Sequence, residues 1–112
     1  MNNATMTDVL ALTDALLEAG WTQGRMVSSR GEYCLIGAIG AAVQELDLER
    51  YGETECAVLR LLAVRLLARE QAAIILLASG QAEAQLIYFN DRSRSRTRVR
   101  ALVQQAAQSL IK

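Results

Sequence analysis

The sequence predicts an all-α protein: a compact bundle of four or five helices, with residues 1–112 forming a single helical domain. Three observations carry that prediction. Apolar residues recur at helical spacing in three separate stretches, a fourth stretch is apolar on nearly all sides, and 52% of the residues are hydrophobic against 21% charged. Stripes of that period need a shared core to bury them, and a chain of this length is one domain's worth. For 12.3 kDa, area scaling lets roughly two thirds of the extended surface be buried, enough for one core without staples.

In the first stretch, Met6 to Ala19, the residues Val9, Leu12, Leu16 and Ala19 fall at spacings of three, four and three, and Leu10 and Leu17 widen the stripe. Thr5 and Asp8 offer side-chain acceptors to its free amides, and Gly20 is placed to end it in a left-handed conformation. An irregular stretch with Trp21, Gln23, Gly24, Ser28, Ser29 and Gly31 follows. From Tyr33 to Leu46, the residues Leu35, Ile39, Ala42, Val43 and Leu46 share one helical face, while Gly37, Gly40 and Ala41 make the other face small. Each glycine costs roughly 1 kcal/mol of helix propensity against alanine, so their presence predicts close approach of another backbone.

A polar connector, Asp47 to Thr54, leads to the most apolar helix, with Thr54 as its expected cap. From Cys56 to Ala68 it carries Leu or Val at positions 58, 59, 61, 62, 64, 66 and 67, apolar on most sides, which suits the centre of a bundle. Gln71 to Ala78 either continues it or forms a short helix of its own, stopped by Ser79 and Gly80. Leu86 to Phe89 has strand-type composition without an obvious partner strand and reads as an extended buried linker. Asn90 and Asp91 read as a turn that starts the last helix, whose core stripe is Val99, Leu102, Val103, Ala106 and Leu110. These stripes place Ile39, Leu59, Leu62, Leu66, Val99 and Val103 in one core, with apolar surface left over that would serve a homodimer.

Composition narrows the chemistry. The chain has no His, the commonest general base and metal ligand, and its two Cys cannot supply a four-ligand zinc site. No catalytic, cofactor or metal residue is therefore assigned, and the chain reads as a non-enzyme. Cys34 at a helix start, with Gln23 upstream, outlines a thiol nucleophile and its oxyanion donor, but without His the usual pairing fails. Cys34 and Cys56 both read as buried structural thiols. The first residues, MNNATMTDVL, lack a basic and then apolar leader, and the apolar run from Val58 to Leu77 is interrupted by Arg60, Arg65, Arg69, Glu70 and Gln71. The expected setting is the cytoplasm, away from membranes.

The 12 basic and 12 acidic residues cancel overall but not locally. Residues 1–56 hold nine acidic and three basic side chains, and residues 57–112 the reverse, minus six against plus six. Arg92, Arg94, Arg96, Arg98 and Arg100 alternate with Ser93, Ser95 and Thr97 where the last helix begins. The helix dipole disfavours cations there by roughly 0.3 to 1 kcal/mol each at exposed sites. Arginine forks and free amides together suit phosphate or carboxylate groups. The plainer reading is a solvated run, or one paired with the acidic connector at Glu45, Asp47, Glu49, Glu53 and Glu55. Trp21 reads first as cover for one end of the bundle and second as an anchor for a partner.

The strings GWTQG at 20–24, YCLIGAIGAA at 33–42 and YFND at 88–91, followed by Thr97, Val99 and Leu102, resemble the bacterial and phage proteins of domain of unknown function family 6197. The resemblance runs in the same order over most of the chain. It carries over to Trp21, Gln23, Gly24, Cys34, Gly37, Ala38, Asn90 and Asp91; Phe89 stands where the family usually has Trp, and the Pro-Gly after Asn-Asp is missing. It implies no known activity, only an accessory, defence-related or regulatory role in bacteria and their mobile elements. The leading expectation is a non-enzymatic protein that binds a protein partner through Arg92, Arg94, Arg96, Arg98 and Arg100, with Trp21, Gln23, Asn90 and Asp91 beside them. The alternative is a small nucleic-acid-binding accessory protein that uses the same arginines, for which Tyr88 and Phe89 are the nearest stacking aromatics.

Overall fold

A computed structural model describes residues 3–70 and 81–111. Five helices follow one another among them: α1 Asn3–Ala19, α2 Leu35–Glu45, α3 Glu53–Glu70, α4 Gln81–Arg92 and α5 Arg96–Ser109. Among the described residues, β-type pairing is confined to isolated bridges from Tyr33 to Trp21 and to Val27. The all-α bundle expected from the stripes is thus the fold observed. The expected helix at Gln71 to Ala78 and its stop at Ser79 and Gly80 lie outside the described residues.

One core joins the helices. Val9, Leu10 and Leu17 of α1, Val58, Leu59, Leu62 and Leu66 of α3, Leu86 and Phe89 of α4, and Val99, Leu102, Val103 and Ala106 of α5 form one cluster with the buried residues of α2. All six residues expected at its centre belong to it. The most completely buried helix is α2, while the leucine-rich α3 packs against all four other helices, as a central helix does. Every residue from Leu35 to Gly40 is buried, as are Ala42 and Val43, whereas α3 leaves Val64 41% exposed. Apolar content says how much face a helix can bury; small residues decide how closely neighbours can surround it. Ala19 and Leu46, placed on core stripes by spacing, lie exposed at helix ends.

The glycines of α2 show the mechanism. A Cβ on Gly37 would lie 2.0 Å from the carbonyl oxygen of Met26, because the 20–34 loop crosses the helix there. That same oxygen accepts the Cys34 N–H at 3.1 Å. The close backbone approach expected of the small face is therefore real at Gly37. At Gly40 the neighbour is a side chain instead, the Arg50 guanidinium, whose Cζ is 2.7 Å from where a Cβ would sit.

Several local expectations need correction. Leu86 to Phe89 is not an extended linker but part of α4, with Leu86 and Phe89 turned inward and Ile87 and Tyr88 outward. Four apolar residues are too few to show a period, and the preceding Gln81, Ala82, Glu83, Ala84 and Gln85 are good helix formers that set the state. Asn90 and Asp91 consequently close α4 and do not start α5, whose N-cap is Ser95. Thr5 and Thr54 fall inside α1 and α3, so neither is a cap. Among the described residues, the left-handed glycines are Gly24 and Gly31, with φ of 79° and 81°, and not Gly20, where a Cβ would lie 2.9 Å from Glu32 Cγ.

Gly37→Ala should destabilise the protein by at least about 2 kcal/mol, since the added methyl must displace loop backbone and not a flexible side chain. Urea unfolding followed by circular dichroism measures this, and a change within about 0.5 kcal/mol would mean that the loop yields freely.

Candidate partner-binding site

Asn90 sits in the last turn of α4 with its side chain fully buried. Its Oδ1 accepts the Trp21 indole N–H at 2.8 Å and the Leu35 backbone N–H at 3.0 Å. Its Nδ2 donates to the Thr22 carbonyl at 3.1 Å and to Asp91 Oδ1 at 3.1 Å. Both lone pairs and both N–H bonds of the carboxamide are used. Leu35 opens α2, so Asn90 satisfies one of that helix's free amides from a different helix. Cys34, the N-cap, satisfies a second: its Sγ accepts the Gly37 N–H at 3.3 Å.

Gln23 works from the other side. Its Nε2 reaches the carbonyls of Asn90 at 2.9 Å, Asp91 at 3.1 Å and Ser93 at 2.8 Å where α4 ends, sharing the Asn90 carbonyl with the Ser93 N–H at 3.3 Å. Gly24, in its left-handed conformation, donates its N–H to Asp91 Oδ1 at 3.0 Å. Trp21, Gln23, Asn90 and Asp91, separated by nearly 70 residues in sequence, therefore meet in one hydrogen-bonded frame beneath the α4–α5 corner. Trp21 is half-buried there, at the end of the bundle. The indole N–H of Trp21, the carboxamide of Asn90 and the Nε2 of the exposed Gln23 are spent on bonds within the molecule, and they hold the corner in place.

The arginines divide into two sets. Arg100 places Nε 2.8 Å from Asp14 Oδ1 and Nη1 3.3 Å from Glu18 Oε2, and Arg96 donates to the Glu18 carbonyl at 2.7 Å. Their partner is the end of α1, not the acidic connector, because α5 packs along α1. Cations are favoured at the C-terminal end of a helix, which offsets their poor placement at the start of α5. Of the connector acids, Glu55 instead takes Arg50, at 3.0 Å.

Arg92, Arg94 and Arg98 have no carboxylate partner among the described residues. Arg92 stacks on Tyr88, 4.8 Å from its ring centre, and bonds its hydroxyl, while Arg98 lies 5.6 Å from the Phe89 ring centre. Arg92, Arg98, Tyr88 and Phe89 share a groove of about 220 Å³ with Leu66 and Ser93. The corner thus presents positive charge on an aromatic base.

Residues 1–109 match the family model of DUF6197, described as a family of unknown function. The chain belongs to DUF6197. No curated protein and no solved structure matches it. In this DUF6197 protein, no group of three His, Cys, Asp or Glu that could hold a metal ion occurs among the described residues. Nor is any of their helices long and apolar enough to cross a membrane.

The titrating groups of the DUF6197 frame shift for identifiable reasons. Burial tends to raise the Asp14 carboxyl, but hydrogen bonds from Arg100 and Gln104 and the charge of Arg100 outweigh it, and the net shift is downward. Stability from this pair is present above the ordinary carboxylate pKa of about 3.9 and is lost as pH falls through the lower folded value. Burial pushes the Cys34 thiol up, and the hydrogen bond from Gly37 only partly offsets it. Cys56 departs from expectation: it is exposed, donating to the Tyr51 carbonyl at 3.4 Å. The general preference of Cys for the interior did not apply to a position on the outer face of α3.

Asp14 and Glu18 were missed in the sequence, though a signal exists. They stand one helical turn apart, as do Arg96 and Arg100, and two such pairs can match on adjacent helices. Iodoacetamide at pH 8 should label Cys56 in the native protein and leave Cys34 unmodified, with both labelled in denaturant. Native labelling of Cys34 as fast as of Cys56 would contradict the buried capping role given to its sulfur.

Proposed function

We propose that this protein is a non-enzymatic interaction protein of the cytoplasm that binds a protein partner through the basic corner between α4 and α5. The observation that supports this best is that Arg92, Arg94 and Arg98 face solvent without a carboxylate partner among the described residues, on a corner fixed from below by the Asn90 frame. Arginine and tyrosine on a rigid base are the residue types that dominate binding energy at protein interfaces. An acidic segment fits this surface by charge. The resemblance to bacterial and phage proteins suits an accessory or defence-related regulator, and a second copy of the chain is one partner that would satisfy the reading.

Nucleic acid is the second reading, favoured by Tyr88, which is 57% exposed beside Arg92. Sequence-tolerant strand binding stacks successive bases on several aromatics. Here Phe89, the other candidate, is only 8% exposed, so a protein partner is preferred.

Changing Arg92, Arg94 and Arg98 to Gln leaves the α1 contacts of Arg96 and Arg100 intact, so folding stability should change by no more than about 0.5 kcal/mol. In nuclease-treated pull-downs from the native host, the variant should lose a partner that the wild type retains, and neither should bind duplex or single-stranded nucleic acid. Sedimentation of the purified protein tells a second copy from a different partner. Binding of wild type to DNA, with a log–log salt slope of up to about −2.7 for three phosphates and loss in the variant, would favour the second reading.

A further inference from the structure

Away from the basic corner, two adjoining hollows run across the small-residue face of α2. One, of about 250 Å³, is floored by Gly37 and Ala41, walled by Met26 and Val27, and closed by Arg50. The other, of about 470 Å³, continues past Ala41 to Leu12 and Leu16 and is rimmed by Glu45. Tyr33 and Gln44 line both. Met26 and Val27 are 42% and 50% exposed, so the walls are apolar surface presented to solvent.

Arg50 is held in place on three sides. Its Nε donates to Glu55 Oε1 at 3.0 Å, and its guanidinium lies flat on Gly40, with Cζ, Nη1 and Nη2 at 2.7, 2.9 and 3.0 Å from where a Cβ would be. It also stacks on Tyr51, 4.8 Å from the ring centre. Glu55 is fully buried; its Oε1 also accepts the Tyr51 N–H at 2.8 Å, and its Oε2 has no partner. Tyr51 and Asp47 carry this connector in left-handed conformations, φ 57° and 59°, which are costly for a bulky residue such as Tyr51. A buried, half-satisfied carboxylate is a poor way to stabilise a fold. It is an effective way to fix the rotamer of an arginine.

The free end of that arginine is what the arrangement leaves over. Nη1 and Nη2 of Arg50 have no acceptor among the described residues, and neither the Tyr33 hydroxyl nor the Gln44 amide has a partner there. An apolar cleft with a few uncommitted polar groups is the usual form of a binding site. A preorganised guanidinium edge takes a carboxylate through paired, charge-assisted hydrogen bonds.

We propose that this groove is a second binding site, for an apolar peptide segment of a protein partner that bears a Glu or Asp side chain. The carboxylate sits on the Nη edge of Arg50. The apolar side chains lie over Ala41, between Met26 and Val27 on one side and Leu12 and Leu16 on the other. Glu45 at the far rim sets the polarity, favouring a basic residue at that end of the peptide. The site is separate from the basic corner, so either can fail without the other.

Acetyl-Lys-Leu-Leu-Glu-amide and its Glu→Gln isostere test this by titration into the full ¹⁵N-labelled chain. The acidic peptide should shift the Gly37 and Ala41 amides and the Arg50 Nε–H, and the isostere should bind at least about tenfold more weakly. Arg50→Lys keeps a charge beside Glu55 but loses the fork, and should weaken the acidic peptide to the level of the isostere. Ala41→Leu fills the floor without touching Arg50 and should abolish binding, with the fold of each variant read from its own spectrum. Equal binding of the two peptides, shifts at Arg92 to Arg98 instead, or no shift would overturn the proposal. Decanoate that binds the groove where the peptide does not would overturn it in favour of a small carboxylate.

Discussion

A single buried carboxamide holds together the parts of this protein that local sequence keeps apart. Asn90 is fully buried, and such a polar group is tolerated only when its hydrogen bonds are made; all four are. Its partners are the indole of Trp21, the backbone of Thr22, the first amide of α2 and Asp91. In a low-dielectric setting such a network is all or nothing, since losing one member leaves the others unpaired at about 1 to 3 kcal/mol each. The 20–34 loop is therefore fixed to the end of α4, and its backbone is pressed onto α2 at Gly37. Gly37 follows from that contact, and so does the fixed corner from which Arg92 and Arg94 project.

Charge is arranged around the same frame. Arg96 and Arg100 meet the acidic end of α1, which binds the first helix to the last and removes two of the five arginines from the solvent-facing set. Of the remaining three, Arg92 lies on Tyr88 and Arg98 on Phe89, and Arg94 is exposed between them in sequence. Among the described residues, no acid from Glu45 to Glu55 forms an ion pair with this corner, and Glu55 in the first turn of α3 braces Arg50 of the connector instead. The opposite signs of the two halves of the chain therefore do not neutralise one another through the connector; among the described residues, their ion pairs join α1 and α5.

Much of this fold was legible because helical stripes are local. The spacing in Met6 to Ala19, Tyr33 to Leu46 and Val99 to Leu110 needs no knowledge of what lies opposite, and all six residues placed in the core are there. Leu86 to Phe89 was misread because four residues hold little more than one turn. The site was less legible. Resemblance to DUF6197 pointed to Trp21, Gln23, Asn90 and Asp91, but their bonds span nearly 70 residues, and nothing local says that Asn90 caps a helix other than its own. The acidic connector looked like the counter-charge because it is the densest acidic run; the pairing is decided by which helices pack, and α1 is the neighbour of α5. Arg50 with Glu55 left no mark beyond ordinary charges in a polar connector.

Native-state hydrogen exchange tests most directly the claim that the Asn90 frame is integral to the fold. The Trp21 indole N–H and the Leu35 amide, both donors to Asn90 Oδ1, should exchange only through global unfolding, with the same opening free energy as the Val43 amide in the core of α2. Exchange of either proton through a local opening, at a free energy well below that of Val43, would show that the loop and α4 separate while the bundle stays folded, and would contradict the claim.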